Sequence, residues 1–257
     1  MLTRSTVAAL LLMAAAGAQA TRVAPLPADP LRSPAWESRA RALLDERPVV
    51  FDDRVQVTVP RFAEDPMNVP VHVQANGLKD VVRILVFADM NPIPAILEFQ
   101  PMKAQAEIGF RFKVEQSTPV RAAVLTRDGR WHVGGTWLSA AGGGCTAPGA
   151  GASNPQWADQ LGQVSGRVWP MSGGATRVKL RVMHPMDTGL APRIPVFYME
   201  HLSVRSANDE EVARITTWEP VSENPVFSLN LLNQHGTLKI TGRDTQANTI
   251  TGRLSLP

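Results

Sequence analysis

The sequence predicts a mainly β protein: two immunoglobulin-like β-sandwich domains in tandem, with one N-terminal amphipathic helix. Two observations favour this fold class. Short runs in which apolar and polar residues alternate recur along both halves of the chain, and turn signals separate them at regular intervals. A stretch of glycine, proline and other small residues at 142–155 lies between the two sets of runs, which indicates two domains.

Residues 1–20 have the features of an export signal peptide. Arg4 is their only charged side chain, residues 7–16 are apolar, and residues 18–20 read Ala-Gln-Ala, the small-x-small pattern of a cleavage site. We therefore expect export across a membrane and a mature chain that starts near Thr21. The apolar run is shorter than the ~20 residues of a membrane helix and no later segment approaches that length, so no membrane span is expected.

Composition and motifs argue against several classes of function. The formal net charge of +3 is small and spread along the chain, so no nucleic-acid partner is expected. The five histidines are scattered without the close spacing of zinc motifs, and the chain has neither a Gly-x-Ser-x-Gly elbow nor a P-loop. The sequence thus predicts no metal site, no cofactor and no catalytic residues.

The first predicted domain covers residues 33–141. Ser33 and Pro34 provide a helix cap and a proline at the first helical position, and the helix is expected to end before Pro48. Its apolar face comprises Trp36, Ala40, Leu43 and Leu44. Strands are predicted at 55–59, 69–74, 81–87, 108–114, 121–126 and 130–138, and the last two flank the hairpin signal Asp128-Gly129.

The second predicted domain covers residues 161–257 and repeats this style. Strands are predicted at 177–183, 197–204, 212–217, 227–231, 237–241 and 250–256. No residue-level repeat relates the two halves. The intervening residues 142–160 are expected to form a glycine-rich linker that carries Cys145.

Cys145 is the only cysteine of the chain, so it cannot form an internal disulfide. Gly142, Gly143 and Gly144 precede it, and because such small residues pack side chains poorly we expect the thiol not to be a core residue. An extended segment from Leu138 would reach ~23 Å. One interpretation is a linker in which one residue happens to be cysteine. The other is a carrier thiol on a flexible arm, activated by a partner protein.

A second distinctive stretch follows a predicted strand and has the sequence His-Pro-Met-Asp-Thr-Gly. Its members are His184, Pro185, Met186, Asp187, Thr188 and Gly189. One interpretation is an ordinary turn in which Asp187 and Thr188 bond to the local backbone. The other is an interface loop that lies over the first domain or near the thiol arm.

These stretches resemble two known proteins. Residues 83–101, the alternating run 108–129 and the glycine-flanked Cys145 are similar to SoxY. Residues 178–190 and 222–231 are similar to SoxZ, the other subunit of the periplasmic sulfur carrier of thiosulfate oxidation. Here the two are fused, as in the single-chain carriers called quinoprotein dehydrogenase-associated SoxYZ-like proteins.

The resemblance implies a covalent carrier rather than an enzyme. Cys145 would hold a sulfur adduct and present it to enzymes that load and unload it, with a quinoprotein dehydrogenase or a c-type cytochrome system as candidate partners. Gly143, Gly144 and Cys145 match the Gly-Gly-Cys-Gly-Gly arm of SoxY, whereas Thr146 and Ala147 stand where its last two glycines would be.

Two alternatives remain open from the sequence. The chain could be a non-catalytic adaptor of a periplasmic quinoprotein alcohol dehydrogenase, in which Cys145 has no role. It could also be a thiol enzyme in which Cys145 works with a histidine such as His184.

Overall fold

The computed structural model describes residues 25–149 and 155–256, so the expected export signal lies outside the described part. Within that part, the chain forms one α-helix of eight residues and 16 β-strands, and the predicted fold class is confirmed. No helix of the described residues is both long and apolar enough to cross a membrane.

Helix α1 (Trp36–Leu43) begins two residues later than the proline signal suggested. The Ser33 hydroxyl accepts a hydrogen bond from the N–H of Ala35, so residues 33–35 form a separate turn before the helix. Trp36 and Ala40 of the helix and Leu44 just after it are buried, as the helical spacing predicted.

The first half of the chain contributes nine strands. They are β1 (Val49–Phe51), β2 (Gln56–Thr58), β3 (Phe62–Ala63), β4 (Val69–Gln74), β5 (Val81–Ala88), β6 (Ala95–Gln100), β7 (Ala104–Phe112), β8 (Thr118–Thr126) and β9 (Trp131–Ala140). The six predicted strands correspond to β2, β4, β5, β7, β8 and β9. Strands β1, β3 and β6 were not predicted, because short segments beside prolines give little periodic signal.

The second half contributes seven strands. They are β10 (Val164–Pro170), β11 (Ala175–Val182), β12 (Met199–Arg205), β13 (Glu211–Thr217), β14 (Val226–Leu232), β15 (Thr237–Asp244) and β16 (Thr249–Ser255). All but β10 were predicted. Strand β10 is an edge strand with a largely exposed surface, so its sequence lacks the apolar pattern of a half-buried strand.

The two halves share both of their β-sheets. The larger sheet has the order β1-β9-β8-β5-β6-β13-β12-β15-β16, with β3 also paired to β9, and the smaller has the order β10-β11-β14-β7-β4-β2. Strand β6 pairs antiparallel with β13, and β7 pairs antiparallel with β14. We call these two pairings the seam. The halves are therefore joined edge to edge in both layers.

A single main hydrophobic core lies between the sheets and continues across the seam. A second cluster covers the outer face of the larger sheet, where Trp36 and Leu44 pack with Phe87 and Trp131. Strand β8 is buried along its whole length, because the main core lies on one face and the helix cluster on the other.

The N-terminal segment is anchored by a buried ion cluster. The Arg121 guanidinium is fully buried, lies 3.0 Å from the Asp89 carboxylate and 2.7 Å from Asp29, and stacks over the Trp36 ring at 4.6 Å. Asp29 also accepts the backbone N–H groups of Leu31 and Ser33. This cluster fixes the approach of the chain to α1.

We expect the two halves to remain associated when the chain is cut between them. A protease site inserted at residues 150–154 should yield two fragments that co-elute on size exclusion, because separation would break both seam pairings and expose the shared core. In urea the fragments should elute separately. Two separate peaks in native buffer would show that the seam does not hold the halves together.

Candidate thiol site

The candidate site lies beside the seam, where the chain leaves β7. Phe112, the last residue of that strand, forms a bridge with Val221 of the second half. The N–H of Lys113 donates to the carbonyl of Pro220 at 2.6 Å. Residues 113–115 are thus held at the boundary between the halves, and the segment that carries Cys145 packs against them.

The three glycines before Cys145 permit this close packing. Gly142 and Gly143 have φ values of +103° and +87°, which residues with a side chain rarely adopt. The N–H of Gly144 donates to the carbonyl of Val114 at 3.0 Å. A Cβ atom at Gly144 would lie 2.1 Å from the Pro66 carbonyl oxygen, so only glycine fits there.

Cys145 is fully buried, with 0% of its surface exposed, so the expectation that it is not a core residue is wrong. Its Sγ lies 3.5 Å from the Lys113 carbonyl oxygen and 3.8 Å from Nδ2 of Asn91. Asn91 is itself fixed, because Nδ2 donates to the Lys113 carbonyl and Oδ1 accepts the N–H of Glu115. The glycines that indicated a free arm allow the backbone to dock instead.

Both halves of the chain hold the docked segment. The Glu115 carboxylate accepts the N–H of Cys145 at 3.0 Å, the N–H of Thr146 at 3.2 Å and the Thr146 hydroxyl at 3.1 Å. From the second half, the Thr188 hydroxyl donates to the Cys145 carbonyl at 2.6 Å. The structure therefore brings together the thiol segment and the His-Pro-Met-Asp-Thr-Gly loop, which the sequence had indicated separately.

The surroundings keep the docked thiol protonated. Burial and, after it, the Glu115 charge raise the pKa of Cys145 to about 12, while the Lys113 charge opposes both. Burial also lowers the pKa of Lys113, whose ammonium donates to the Met186 carbonyl and is near the carboxylates of Asp187 and Glu223. Since the thiolate is the reactive form, the docked thiol is unreactive as a nucleophile.

His184 orders the loop that contacts the thiol segment. Its Nδ1 accepts the N–H of Met186 at 3.1 Å, which places the proton of the neutral ring on Nε2. Nε2 lies 3.4 Å from Asp244 Oδ2 without hydrogen-bond geometry, and the ring packs on Phe197 at 4.5 Å. Burial lowers the pKa of His184 to about 4, although the Asp244 carboxylate opposes that shift.

The rest of the loop is a closed turn. Asp187 and Phe197 exchange backbone hydrogen bonds of 2.7 and 3.0 Å, which close residues 188–196 into a compact excursion. Met186 and Gly189 adopt positive φ values of 52° and 75°. Pro185 and Met186 are buried, while Gly189 is exposed.

Three residues of the site were not predicted from the sequence. Asn91, Lys113 and Glu115 lie 30 or more residues before Cys145, so no local spacing connects them with it. The Sγ hydrogen-bond partners among the described residues are Asn91 and Lys113, and His184 is not one of them. In the described part of the chain, no cluster of three metal-ligating side chains occurs.

Comparisons with known proteins identify both halves. The family model "Sulfur oxidation protein SoxY" matches residues 40–145, and the model "Sulphur oxidation protein SoxZ" matches residues 168–255. A search of curated proteins found no match.

Solved structures that match this chain include the sulfur carrier protein SoxY from Chlorobium limicola f thiosulfatophilum, with 18% identity and a TM-score of 0.37 over 41% of this chain and 96% of that one. They also include the β-glucuronidase of Parabacteroides merdae, with 8% identity and a TM-score of 0.24 over 80% of this chain and 24% of that one.

Substitution of Gly144 should undock the thiol segment. In Gly144→Ala the Cβ would lie 2.1 Å from the Pro66 carbonyl oxygen and 2.6 Å from that of Val114. Both are backbone atoms, which cannot move aside as a flexible side chain can. We expect alkylation of Cys145 by iodoacetamide to accelerate at least about tenfold, because the packed interior has no space for an added methyl group.

Gly143→Ala is the matched control for that substitution. A Cβ at Gly143 would have open space around it, so alanine there adds only the backbone cost of a positive φ, on the order of 1–3 kcal/mol. Its alkylation rate should rise less than that of Gly144→Ala, and circular dichroism should show both variants folded. Equal rates in the two variants would contradict the docking role of Gly144.

The stability of the fold should decrease in acid because His184 is buried neutral. Its native pKa of about 4 lies below its ordinary value of 6.5, so between these values the unfolded state binds more protons than the native state. The free energy of unfolding should therefore fall as the pH drops from 6.5 towards 4, by about 2 kcal/mol between pH 7 and pH 5. Urea unfolding of the wild type and of His184→Gln measures this, and the same pH dependence in both would assign it to other groups.

Proposed function

Because the chain belongs to the SoxY and SoxZ sulfur carrier families, with one domain of each fused in a single polypeptide, we propose that it is a periplasmic covalent carrier whose cargo is attached to Cys145. One observation carries this proposal. The SoxY match ends at residue 145, the position of the only cysteine, and that residue is held by contacts from both halves of the chain. An incidental cysteine in a linker would not require such contacts.

Thiol–disulfide exchange is the chemistry that suits this residue. The Cys145 thiolate attacks a sulfur of a donor disulfide or thiosulfonate, a new S–S bond forms at Sγ, and the donor's other half leaves with the electron pair of the broken bond. Attack on the loaded S–S bond by an acceptor thiolate reverses the step. No net oxidation occurs, so the carrier itself needs no cofactor.

Partner enzymes would act on an open form of the carrier. Since Cys145 is enclosed and its pKa is raised to about 12, neither a donor nor an acceptor can reach a thiolate while the segment is docked. Residues 142–149 must leave Glu115 and Thr188 before exchange. Enzymes of sulfur oxidation are the partners that the family suggests, and a quinoprotein dehydrogenase or a c-type cytochrome system is the finer alternative.

A non-catalytic adaptor is a second candidate, and one surface feature favours it. The compact excursion 188–196 exposes two apolar side chains, Leu190 at 40% and Val196 at 47%. Exposed apolar residues grouped on a closed loop are typical of protein contacts. As an adaptor, the chain would use this loop to bind a periplasmic dehydrogenase, and Cys145 would be dispensable.

Intact-mass spectrometry of the protein from its own periplasm tests the carrier proposal. We expect sulfur-containing mass increments that disappear on reduction and are absent from Cys145→Ala and Cys145→Ser. Host activity should be lost in both variants and retained in Leu190→Ser/Val196→Ser. Full activity of Cys145→Ala with an unmodified wild-type thiol would overturn the proposal. Loss of activity in the loop variant alone would support the adaptor.

A further inference from the structure

We propose that Glu115 and Thr146 form a latch that distinguishes the empty thiol from one bearing an anionic adduct: it holds the empty segment docked and releases the anionic one. This inference rests on the proposed carrier function and adds a device by which the charge of the cargo controls docking of the segment. It concerns the groups that surround Sγ in the docked state.

The hydrogen bonds of Glu115 identify it as the latch. Its carboxylate receives three donors from the docked segment, two backbone N–H groups and the Thr146 hydroxyl, at 3.0 to 3.2 Å. Its backbone N–H is fixed by Asn91 Oδ1 at 3.0 Å, so the backbone that carries the carboxylate stays with the first half if the segment leaves. Hydrogen bonds to a charged acceptor are stronger than neutral ones, and these three share one carboxylate.

The charges near Sγ make the latch sensitive to the adduct. Lys113 is the buried cation beside the thiol, and it is also near Asp187 and Glu223. Glu115 is the carboxylate that acts on the thiol, and its hydrogen bonds are to the backbone and side chain of the segment itself. An uncharged thiol conflicts with none of these groups. An anion attached to Sγ would face the Glu115 carboxylate, while the Lys113 ammonium is already shared by the Met186 carbonyl, Asp187 and Glu223. Like charges this close repel in a partly buried site.

The size of the adduct alone would not release anionic adducts selectively. Sγ is fully enclosed, so an adduct of any kind must displace surrounding atoms. A neutral adduct loses packing but leaves the Glu115 hydrogen bonds electrostatically favourable. An anionic adduct of the same size adds repulsion from Glu115, so the docked state is disfavoured by both effects.

Methanethiosulfonate reagents of similar size separate charge from size. Cys145 attacks the sulfenyl sulfur of the reagent, a disulfide to Sγ forms, and methanesulfinate leaves. Hydroxyethyl, sulfonatoethyl and ammonioethyl reagents then give neutral, anionic and cationic adducts. Complete modification is reached by long incubation and verified by intact mass. Hydrogen exchange of the backbone amides of residues 142–147 and 149 measures release of the segment.

We expect the anionic adduct to exchange at least about tenfold faster than the neutral one, as the repulsion of two charges a few ångströms apart in a partly buried site requires. The cationic adduct should exchange no faster than the neutral one. In Glu115→Gln the difference between anionic and neutral adducts should shrink at least threefold. The control Glu210→Gln, which removes an exposed carboxylate of another surface, should keep the full difference.

Thr146 is tested in the unmodified protein. Thr146→Val should speed amide exchange of the segment because the hydroxyl bond to Glu115 is lost, and Thr146→Ser should restore the wild-type rate. Equal exchange of the three adducts, or an unchanged difference in Glu115→Gln, would overturn the latch. Neither result depends on whether the host uses Cys145. The latch can therefore be wrong while the carrier function is right, and the carrier function can be wrong while the latch is right.

Discussion

The seam between the halves is the constraint on which the site depends. Because β6 pairs with β13 and β7 with β14, the halves cannot rotate against each other without breaking two strand ladders and a shared core. The loops that leave these strands are therefore fixed relative to one another. Lys113 and Glu115 come from one side of the seam and Thr188 from the other. The thiol segment lies between them and is held by both.

In the proposed carrier, enclosure makes the reactivity of the thiol depend on the fraction of molecules in which the segment is open. In an oxidising compartment a lone exposed cysteine would react with whatever disulfide it met. Docking limits every such reaction to the fraction of molecules whose segment is open, and a partner that binds the open form draws the population towards it. Specificity then comes from the partner's contacts with the open segment, since the docked thiol offers none.

The sequence predicts the architecture better than it predicts the site. Alternating runs such as 69–74 report one buried face of a sheet, and that local property survives into the fold. Edge pairing across the seam has no local signature, so the continuous sheets could not be predicted. Gly144 suggested a flexible arm, but composition cannot distinguish a glycine that makes the chain flexible from one that allows close packing. At Gly144 the Pro66 carbonyl oxygen lies 2.1 Å from the position that a Cβ would occupy.

In the proposed carrier, opening of the segment and activation of the thiol are one physical event. Two causes raise the pKa of Cys145, burial and the charge of Glu115, and both act only while the segment is docked. The movement that separates Cys145 from Glu115 also hydrates Sγ, so the same step removes both. Lys113 stays behind, because its ammonium is bound to the Met186 carbonyl of the second half. In such a carrier an ordinary thiol pKa would be restored only where a partner can reach the sulfur. A cysteine without a neighbouring general base could then serve in exchange chemistry.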